Sequence, residues 1–148
     1  MRVKLESTNA DLLRDAEKTA RKALLDRLQI LETKEAEHTF GFASDESGTL
    51  FLFQNGEQIS FDSFRIRFFK FFNSMLRIVV AEHARDCVFI HAGVVGWKGK
   101  AIVIPANSFQ GKTTLVAELV KNGAEYYSDE YAILDEKGLV HPFPRDLS

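Results

Sequence analysis

This 148-residue sequence contains one cysteine and three prolines, and neither positive nor negative charge is in clear excess. The single cysteine, Cys87, cannot form a disulfide within the chain, has no adjacent base that would activate it, and has no Cys or His cluster around it for zinc. The formal net charge of -2 gives no electrostatic reason to expect a polyanionic partner. We therefore expect a reducing, cytoplasmic location and no nucleic-acid partner.

A long uncharged apolar run is also missing. The first 15 residues, MRVKLESTNADLLRD, carry early charges and lack the apolar core of a signal peptide. The longest apolar stretch, residues 61–84, contains six charged side chains, too many for a bilayer span. We expect no membrane association and a packed helix in this stretch.

Apolar residues, especially phenylalanine, are plentiful. The chain is 45% hydrophobic and 27% charged and contains 13 Phe, a composition typical of a globular domain with an aromatic core. Its length suits one domain. We expect an α/β protein in which an α+β region, 1–87, and a nucleotide-binding region, 88–148, form one compact unit.

The first region shows a helical pattern, a hairpin and a second helical pattern. Residues 9–31 have apolar side chains at helical spacing after a possible N-cap, Asn9. Residues 49–60 alternate around Asn55-Gly56, a pair that tolerates the positive φ of a tight hairpin turn. Ser60 is a candidate N-cap, with Asp62 in the first turn, for a helix that runs to about residue 83.

The second region alternates short strand patterns with one helix. Residues 88–95 and 100–104 predict a hairpin across Gly96 to Gly99, and Asn122-Gly123 is a typical end for a helix over 113–121. Three further segments are strand-like: 126–128, 131–134 and 139–143.

A phosphate-binding motif lies between the hairpin and the helix. Residues 105–114, PANSFQGKTT, match the broad Walker A form, in which Gly or Ala is followed by four residues and Gly-Lys-Thr. Such a loop directs backbone N–H groups at phosphate oxygens, the lysine reaches the β and γ phosphates, and the threonine hydroxyl binds Mg²⁺. The sequence therefore predicts a site for ATP and Mg²⁺ formed by Ala106, Asn107, Ser108, Phe109, Gln110, Gly111, Lys112, Thr113 and Thr114.

Two acidic residues follow the motif at the end of a strand pattern. Paired acids at a strand end, such as Asp129 and Glu130, usually form no more than a solvated turn. Beside a phosphate site, however, they can take part in the chemistry. One carboxylate can hold Mg²⁺ together with Thr113, while the other accepts the proton of an attacking hydroxyl. We predict Asp129 and Glu130 as metal ligands.

His91 is a further candidate because it precedes the motif in the apolar run VFIHAGVV. A lone histidine in a strand is often a satisfied core residue. Its place in the strand next to the motif also fits an active-site role. His38, His83 and His141 have no such neighbours, and we expect them at the surface.

From His91 to Ser148 the sequence resembles the HPr kinase/phosphorylase group and its shorter HPr-kinase-related relatives. The matching order is His91 with small and apolar residues, a strand, the motif, a helix, then Ser128-Asp129-Glu130 and a Pro-containing segment. The resemblance implies a P-loop kinase core of the HPr kinase/phosphoenolpyruvate carboxykinase type. It also implies phosphoryl transfer to a protein serine, with Asp129 as the acid/base, Lys112 as a catalytic P-loop residue and His91 in the active site.

The sequence departs from this family at three positions. Ala106 stands where Gly is usual, Phe109 where a further Gly is common, and Glu130 where a second Asp is usual. The N-terminal region suits the shorter relatives, some of which modify peptides. The Pro-containing end, HPFPRDLS, favours a fragment whose further metal-binding and substrate-binding elements lie downstream.

Three functions remain open on this basis. The first is an ATP-dependent serine kinase that acts on a protein or peptide, with a homo-oligomer as one option for its assembly. The second is a nucleotide-binding or sensor domain without catalysis, which the bulky Phe109 favours. The third is a small-molecule kinase or carboxykinase-like enzyme.

Overall fold

The computed structural model describes residues 1–24, 28–29, 35–107 and 110–144. These residues form a mixed α/β structure with three helices and two sheets. The chain divides into two compact units, Met1–His83 and Ala84–Ser148. In the described part of the chain, no helix combines the length and the apolar character needed to cross a membrane.

The first unit contains two helices and one four-stranded sheet in the order β1-β2-β3-β4. Strand β1 runs parallel to β2, and the other neighbours are antiparallel. The elements are β1 (Val3–Glu6), α1 (Ala10–Ala23), β2 (His38–Ser44), β3 (Leu50–Gln54), β4 (Glu57–Asp62) and α2 (Arg65–His83).

Aromatic side chains from the sheet and from α2 form the core of the first unit. Phe40 and Phe42 of β2 each meet Phe72 edge to face, with ring centroids 5.2 and 4.9 Å apart. Phe68 contacts Phe42 at 6.3 Å. All four rings are buried, so the many Phe residues do supply the expected aromatic core.

Two local predictions in this unit are confirmed. The side chain of Asn9 accepts hydrogen bonds from the N–H groups of Asp11 and Leu12, which caps α1. Asn55 and Gly56 have φ values of 51° and 87°, the left-handed conformation that a tight turn between β3 and β4 requires.

Two boundaries predicted for the helices were wrong. Helix α1 ends at Ala23 rather than residue 31, since Leu28 and Gln29 are not helical; residues 25–27 and 30–31 of that prediction lie outside the described residues. Ser60 and Asp62 belong to β4, paired with Leu52 and Leu50, and α2 begins only at Arg65. Pairing with β3 outweighs the local capping signal at Ser60.

The second unit is built around one long strand. Strand β5 pairs with β6 on one edge and with both β7 and β8 on the other, and every pairing is antiparallel. Strand β9 extends this sheet beside β8. The elements are β5 (Cys87–Trp97), β6 (Lys100–Pro105), α3 (Lys112–Lys121), β7 (Glu125–Ser128), β8 (Tyr131–Asp135) and β9 (Val140–His141).

Most of the local predictions for the second unit are confirmed. Strands β5 and β6 form the expected hairpin, with Lys98 and Gly99 at positive φ in its turn. Helix α3 ends at Lys121 with Asn122 as its C-cap, and Gly123 follows with a φ of 96°. The last strand is shorter than predicted, because only Val140–His141 of residues 139–143 pairs with β8.

Candidate functional site

The candidate site lies where the two strands on one edge of β5 meet end to end. Strand β7 stops at Ser128, which pairs with Val94, and β8 starts at Tyr131, which pairs with His91. The intervening Asp129-Glu130 therefore lies beside Ala92 and Gly93 of β5. The register of these strands, rather than closeness in sequence, brings the two acids to the part of β5 that directly follows His91.

The loop that precedes α3 reaches the same level of the sheet from the other edge of β5, where Pro105 pairs with Ala92. Two hydrogen bonds join Asn107 and Gln110 of this loop. Gln110 N donates to the Asn107 carbonyl oxygen at 3.4 Å, and Asn107 N donates to Gln110 Oε1 at 3.2 Å. The predicted phosphate-binding residues Ser108 and Phe109 lie outside the described residues.

Gly111 ends the loop in the left-handed conformation, with φ of 78°, which strains any residue that has a side chain. The backbone bonds of α3 start with Leu115 N, which donates to the Gly111 carbonyl oxygen at 2.9 Å. The amide groups ahead of Leu115 have no acceptor within the helix, so this end of α3 can bind an anion.

Lys112 opens α3 and is only 8% exposed. Its Nζ lies 2.9 Å from Nε2 of His91. An ammonium group carries donors only, so Lys112 donates and Nε2 of His91 accepts in this contact. His91 is itself exposed and is not the satisfied core histidine that a strand position often holds.

Gly93 permits this close approach of α3 to β5. A Cβ atom at Gly93 would lie 2.6 Å from Cγ2 of Val116 and 3.1 Å from Cγ of Lys112. Both distances are shorter than ordinary contact between carbon atoms. The absence of a side chain at Gly93 therefore lets the aliphatic part of Lys112 lie against the strand that carries His91.

Asp129 is 4% exposed, and hydroxyl groups donate to both of its carboxylate oxygens. Thr113 Oγ1 donates to Oδ2 at 3.4 Å. Tyr126 Oη donates to Oδ1 at 3.3 Å. The predicted acid/base and the predicted Mg²⁺-binding hydroxyl are thus in direct contact.

Ser128 shapes the turn that presents the two acids. It is fully buried, and its Oγ accepts from the N–H groups of Glu130 and Tyr131, both at 3.1 Å. The Glu130 carbonyl oxygen in turn accepts from Ala92 N at 3.1 Å. These bonds fix the backbone on both sides of Asp129. None of them tests the carboxylate of Glu130, which stays a predicted metal ligand.

The oxygen donors at the site have the character that Mg²⁺ prefers. In the described residues, no three His, Cys, Asp or Glu side chains are grouped to enclose a metal ion. Mg²⁺ is commonly held by one or two carboxylates together with substrate phosphates, and does not need such a group. The Asp129 carboxylate beside the Thr113 hydroxyl fits this mode of binding.

The structure thus brings four predicted site residues together: His91, Lys112, Thr113 and Asp129. Sequence reasoning missed Gly93 and Tyr126. The Ser128-x-Glu130 spacing is a recognisable turn signal, in which a hydroxyl accepts a backbone N–H two residues ahead. No sequence signal reveals Tyr126, because its contact with Asp129 depends on how β7 meets β5.

A cleft of about 230 Å³ lies at the other end of α3 and is lined mainly by apolar residues. None of its lining residues belongs to the predicted site: they are Val95, Trp97, Ile102, Leu119, Asn122 and Ala124. The contacts of Lys112 and Asp129, rather than the volume of a cleft, identify the candidate site.

In comparisons with protein-family models, curated proteins and solved structures, the chain matched none. Its function is therefore inferred from the residues and the geometry described above.

Proposed function

We propose that the second unit binds ATP with Mg²⁺ at the start of α3 and transfers the γ-phosphoryl group to a hydroxyl, as a P-loop kinase core of the HPr kinase/phosphoenolpyruvate carboxykinase type. The observation that supports this proposal is the cluster formed by two residues of α3 with His91 and Asp129. Lys112 lies 2.9 Å from His91, and Thr113 lies 3.4 Å from Asp129. Cation, hydroxyl and carboxylate therefore surround the end of a helix that can bind an anion.

Lys112 and the loop amides hold the triphosphate in this proposal. Its ammonium group neutralises charge on the β and γ phosphates, and the amide groups at the start of α3 add hydrogen bonds. His91 supplies an acceptor that keeps the ammonium group in place before the nucleotide arrives. Since phosphoryl transfer depends mostly on positioning and charge neutralisation, these contacts account for much of the catalysis.

Asp129 accepts the proton of the attacking hydroxyl. Its carboxylate is buried next to Thr113, the residue whose hydroxyl binds the metal in this motif. Thr113 and Asp129, with Glu130 as a further acid, are the residues that would hold Mg²⁺. When bound, the ion would offset the charge that develops on the phosphate oxygens.

The proposed acceptor is a serine of a protein or peptide, in the cytoplasm. The basis for this choice is the order of His91, the Walker A loop and Ser128-Asp129-Glu130, which resembles serine kinases of the HPr kinase group. The same proposal includes the assembly of this chain as a homo-oligomer.

A nucleotide-binding domain without transfer is the second candidate. Phe109 favours it, because a bulky side chain stands where a glycine commonly lets the loop approach phosphate. Such a domain would bind the nucleotide through Lys112 and would transfer nothing.

The deciding experiment combines calorimetry with transfer of labelled phosphate. Mg·ATP is titrated into the protein, and γ-labelled ATP is then incubated with serine-containing proteins and peptides and, separately, with small hydroxyl compounds. The variant Asp129→Asn keeps the size of the side chain but removes the base. Asp86→Asn, an exposed aspartate immediately before β5, is the matched control.

We expect Mg·ATP to bind wild type and both variants. Transfer should fall by about 10²- to 10⁴-fold in Asp129→Asn only, since that is the usual contribution of a general base. If the wild type binds Mg·ATP but transfers no phosphate, the result would favour the nucleotide-binding domain without catalysis. Labelled phosphate on a small hydroxyl compound would favour a small-molecule kinase or carboxykinase-like enzyme. The absence of any binding heat would refute all three.

A further inference from the structure

The hydroxyl of Tyr126 makes a contact that phosphate binding does not require. Tyr126 Oη donates to Asp129 Oδ1 at 3.3 Å, while Thr113 donates to Oδ2. The two hydroxyls thus engage different oxygens of one buried carboxylate. Thr113 belongs to the predicted Walker A motif, whereas Tyr126 belongs to no motif and comes from β7.

The pairing of β7 with β5 explains why Tyr126 reaches Asp129. Tyr126 pairs with Val95, and Ser128 pairs with the adjacent Val94, so Tyr127 is an extra residue in β7. This irregularity is a β-bulge, a device that commonly redirects side chains beside active sites. Asp129 follows the bulge directly.

The two consecutive tyrosines face different parts of the core. Tyr126 packs against the cluster of Val95, Val116 and Ala124, on the side of α3. Tyr127 packs against the cluster of Ala92, Val94 and Ala132. The ring of Tyr126 is thereby fixed next to α3, and its hydroxyl is the part that reaches the acid.

We propose that Tyr126 is a positioning residue, which holds Asp129 through Oδ1 so that Oδ2 faces Thr113 and the attacking hydroxyl. The catalytic consequence of this inference rests on the proposed function. The contact between Tyr126 and Asp129 is independent of that function. A carboxylate can rotate about its last bond, and a hydrogen bond to one oxygen restricts that rotation. The base is then oriented before the substrate binds, which lowers the cost of reaching a reactive geometry.

The test compares Tyr126→Phe with Tyr127→Phe. Each variant loses one phenolic oxygen and keeps its ring, so the packing on either side of the sheet is preserved. Crystal structures of the nucleotide-free wild type and of both variants give the position of the Asp129 carboxylate. We expect a single, well-ordered carboxylate in wild type and Tyr127→Phe, and a rotated or multiple one in Tyr126→Phe.

Steady-state kinetics give the second readout. A hydrogen bond to a charged group is stronger than one between neutral groups, and loss of part of the orientation it provides should lower kcat by about tenfold in Tyr126→Phe. The KM for ATP should stay within about twofold, because Lys112 and the loop amides, rather than Asp129, hold the triphosphate. A merely structural effect would change kcat and KM together, or would appear equally in Tyr127→Phe.

The outcomes separate the two proposals. An Asp129 carboxylate in the same position and equally ordered in all three crystals overturns the positioning role, whatever the kinetics show. If the carboxylate moves in Tyr126→Phe but no form of the protein binds or uses Mg·ATP, the positioning role stands and the proposed function fails. An unchanged kcat in Tyr126→Phe with a displaced carboxylate refutes the catalytic consequence.

Discussion

Lys112 and His91 are 21 positions apart in the chain, yet Nζ of the lysine lies 2.9 Å from Nε2 of the histidine. The contact joins the first residue of α3 to the middle of β5, two residues before Gly93, where a side chain would obstruct the helix. The imidazole nitrogen thus provides an acceptor for the Lys112 ammonium group in the nucleotide-free chain. In the proposed site, the triphosphate would either replace this acceptor or add to it.

The first prediction concerns this imidazole acceptor. His91→Leu removes the acceptor from a largely buried ammonium group, so the free energy of unfolding should fall by about 1 kcal/mol. His91→Gln, which keeps an acceptor oxygen, should lose less. Because phosphate oxygens can replace the lost acceptor, Mg·ATP should stabilise His91→Leu more than wild type. Urea denaturation with and without Mg·ATP measures both effects, and equal stability of His91→Leu and wild type would contradict the role of the contact.

The second prediction concerns the charge of Lys112. In the proposed site Lys112 is the main cationic contact of the triphosphate, so in Lys112→Ala we expect binding of Mg·ATP to weaken by at least about tenfold. The matched control is Lys121→Ala at the opposite end of α3, where the exposed lysine pairs with Glu118 at 2.5 Å. Isothermal calorimetry compares the two. An equal loss in both variants would mean that the helix, rather than this lysine, was damaged.

The third prediction concerns the space at Gly93. Gly93→Ala places a methyl group 2.6 Å from Cγ2 of Val116, so either the helix or the strand must shift. We expect a loss of about 1–3 kcal/mol in the free energy of unfolding, as is usual for overpacking. Gly41→Ala, where the nearest atom is Phe53 Cβ at 3.4 Å, should cost less.

A double variant identifies the cause of the loss in Gly93→Ala. Val116→Ala removes the obstructing methyl group, so adding Gly93→Ala to it should cost less than adding it to wild type. Chemical denaturation of the four proteins completes this cycle. Strictly additive losses would show that the methyl group of Val116 is not what Gly93 avoids.

The fourth prediction concerns the pH dependence of stability at the end of β8. The side chain of His141, at 2.8 Å, and then the N–H of Leu139 hold the pKa of the Asp135 carboxyl below its ordinary value of 3.8. A carboxyl group whose pKa is lowered by folding stabilises the folded state above its unfolded pKa. That contribution disappears as the pH falls through the lower, folded value.

Asp135→Asn should therefore be less stable than wild type near neutral pH, and the difference should shrink as the pH is lowered below about 3.8. The adjacent exposed Glu136 offers the control Glu136→Gln. Denaturation midpoints measured from neutral to acidic pH test the prediction. A difference between Asp135→Asn and wild type that grew towards low pH would have the wrong sign.

Local features of the fold were predictable because few residues decide each of them. Asn9 caps α1 through its own side chain, and Asn55-Gly56 adopts the left-handed conformation of the turn. Features that depend on distant partners were not. Strand β1 escaped prediction because four residues carry little pattern and their partner, β2, begins at His38. Ser60 resembled a helix cap until pairing with Leu52 placed it in β4.

The sequence by itself determined which groups were candidates: a lysine and a threonine after a glycine at a helix start, two acids at a strand end, and one histidine upstream. Only the tertiary structure decided which of these groups meet. The register of β7 and β8 on β5 brings Asp129 to Thr113 and Tyr126, and the missing side chain at Gly93 lets Lys112 reach His91. The physical reason is that strand register and close helix packing are set by non-local contacts, which local patterns do not encode.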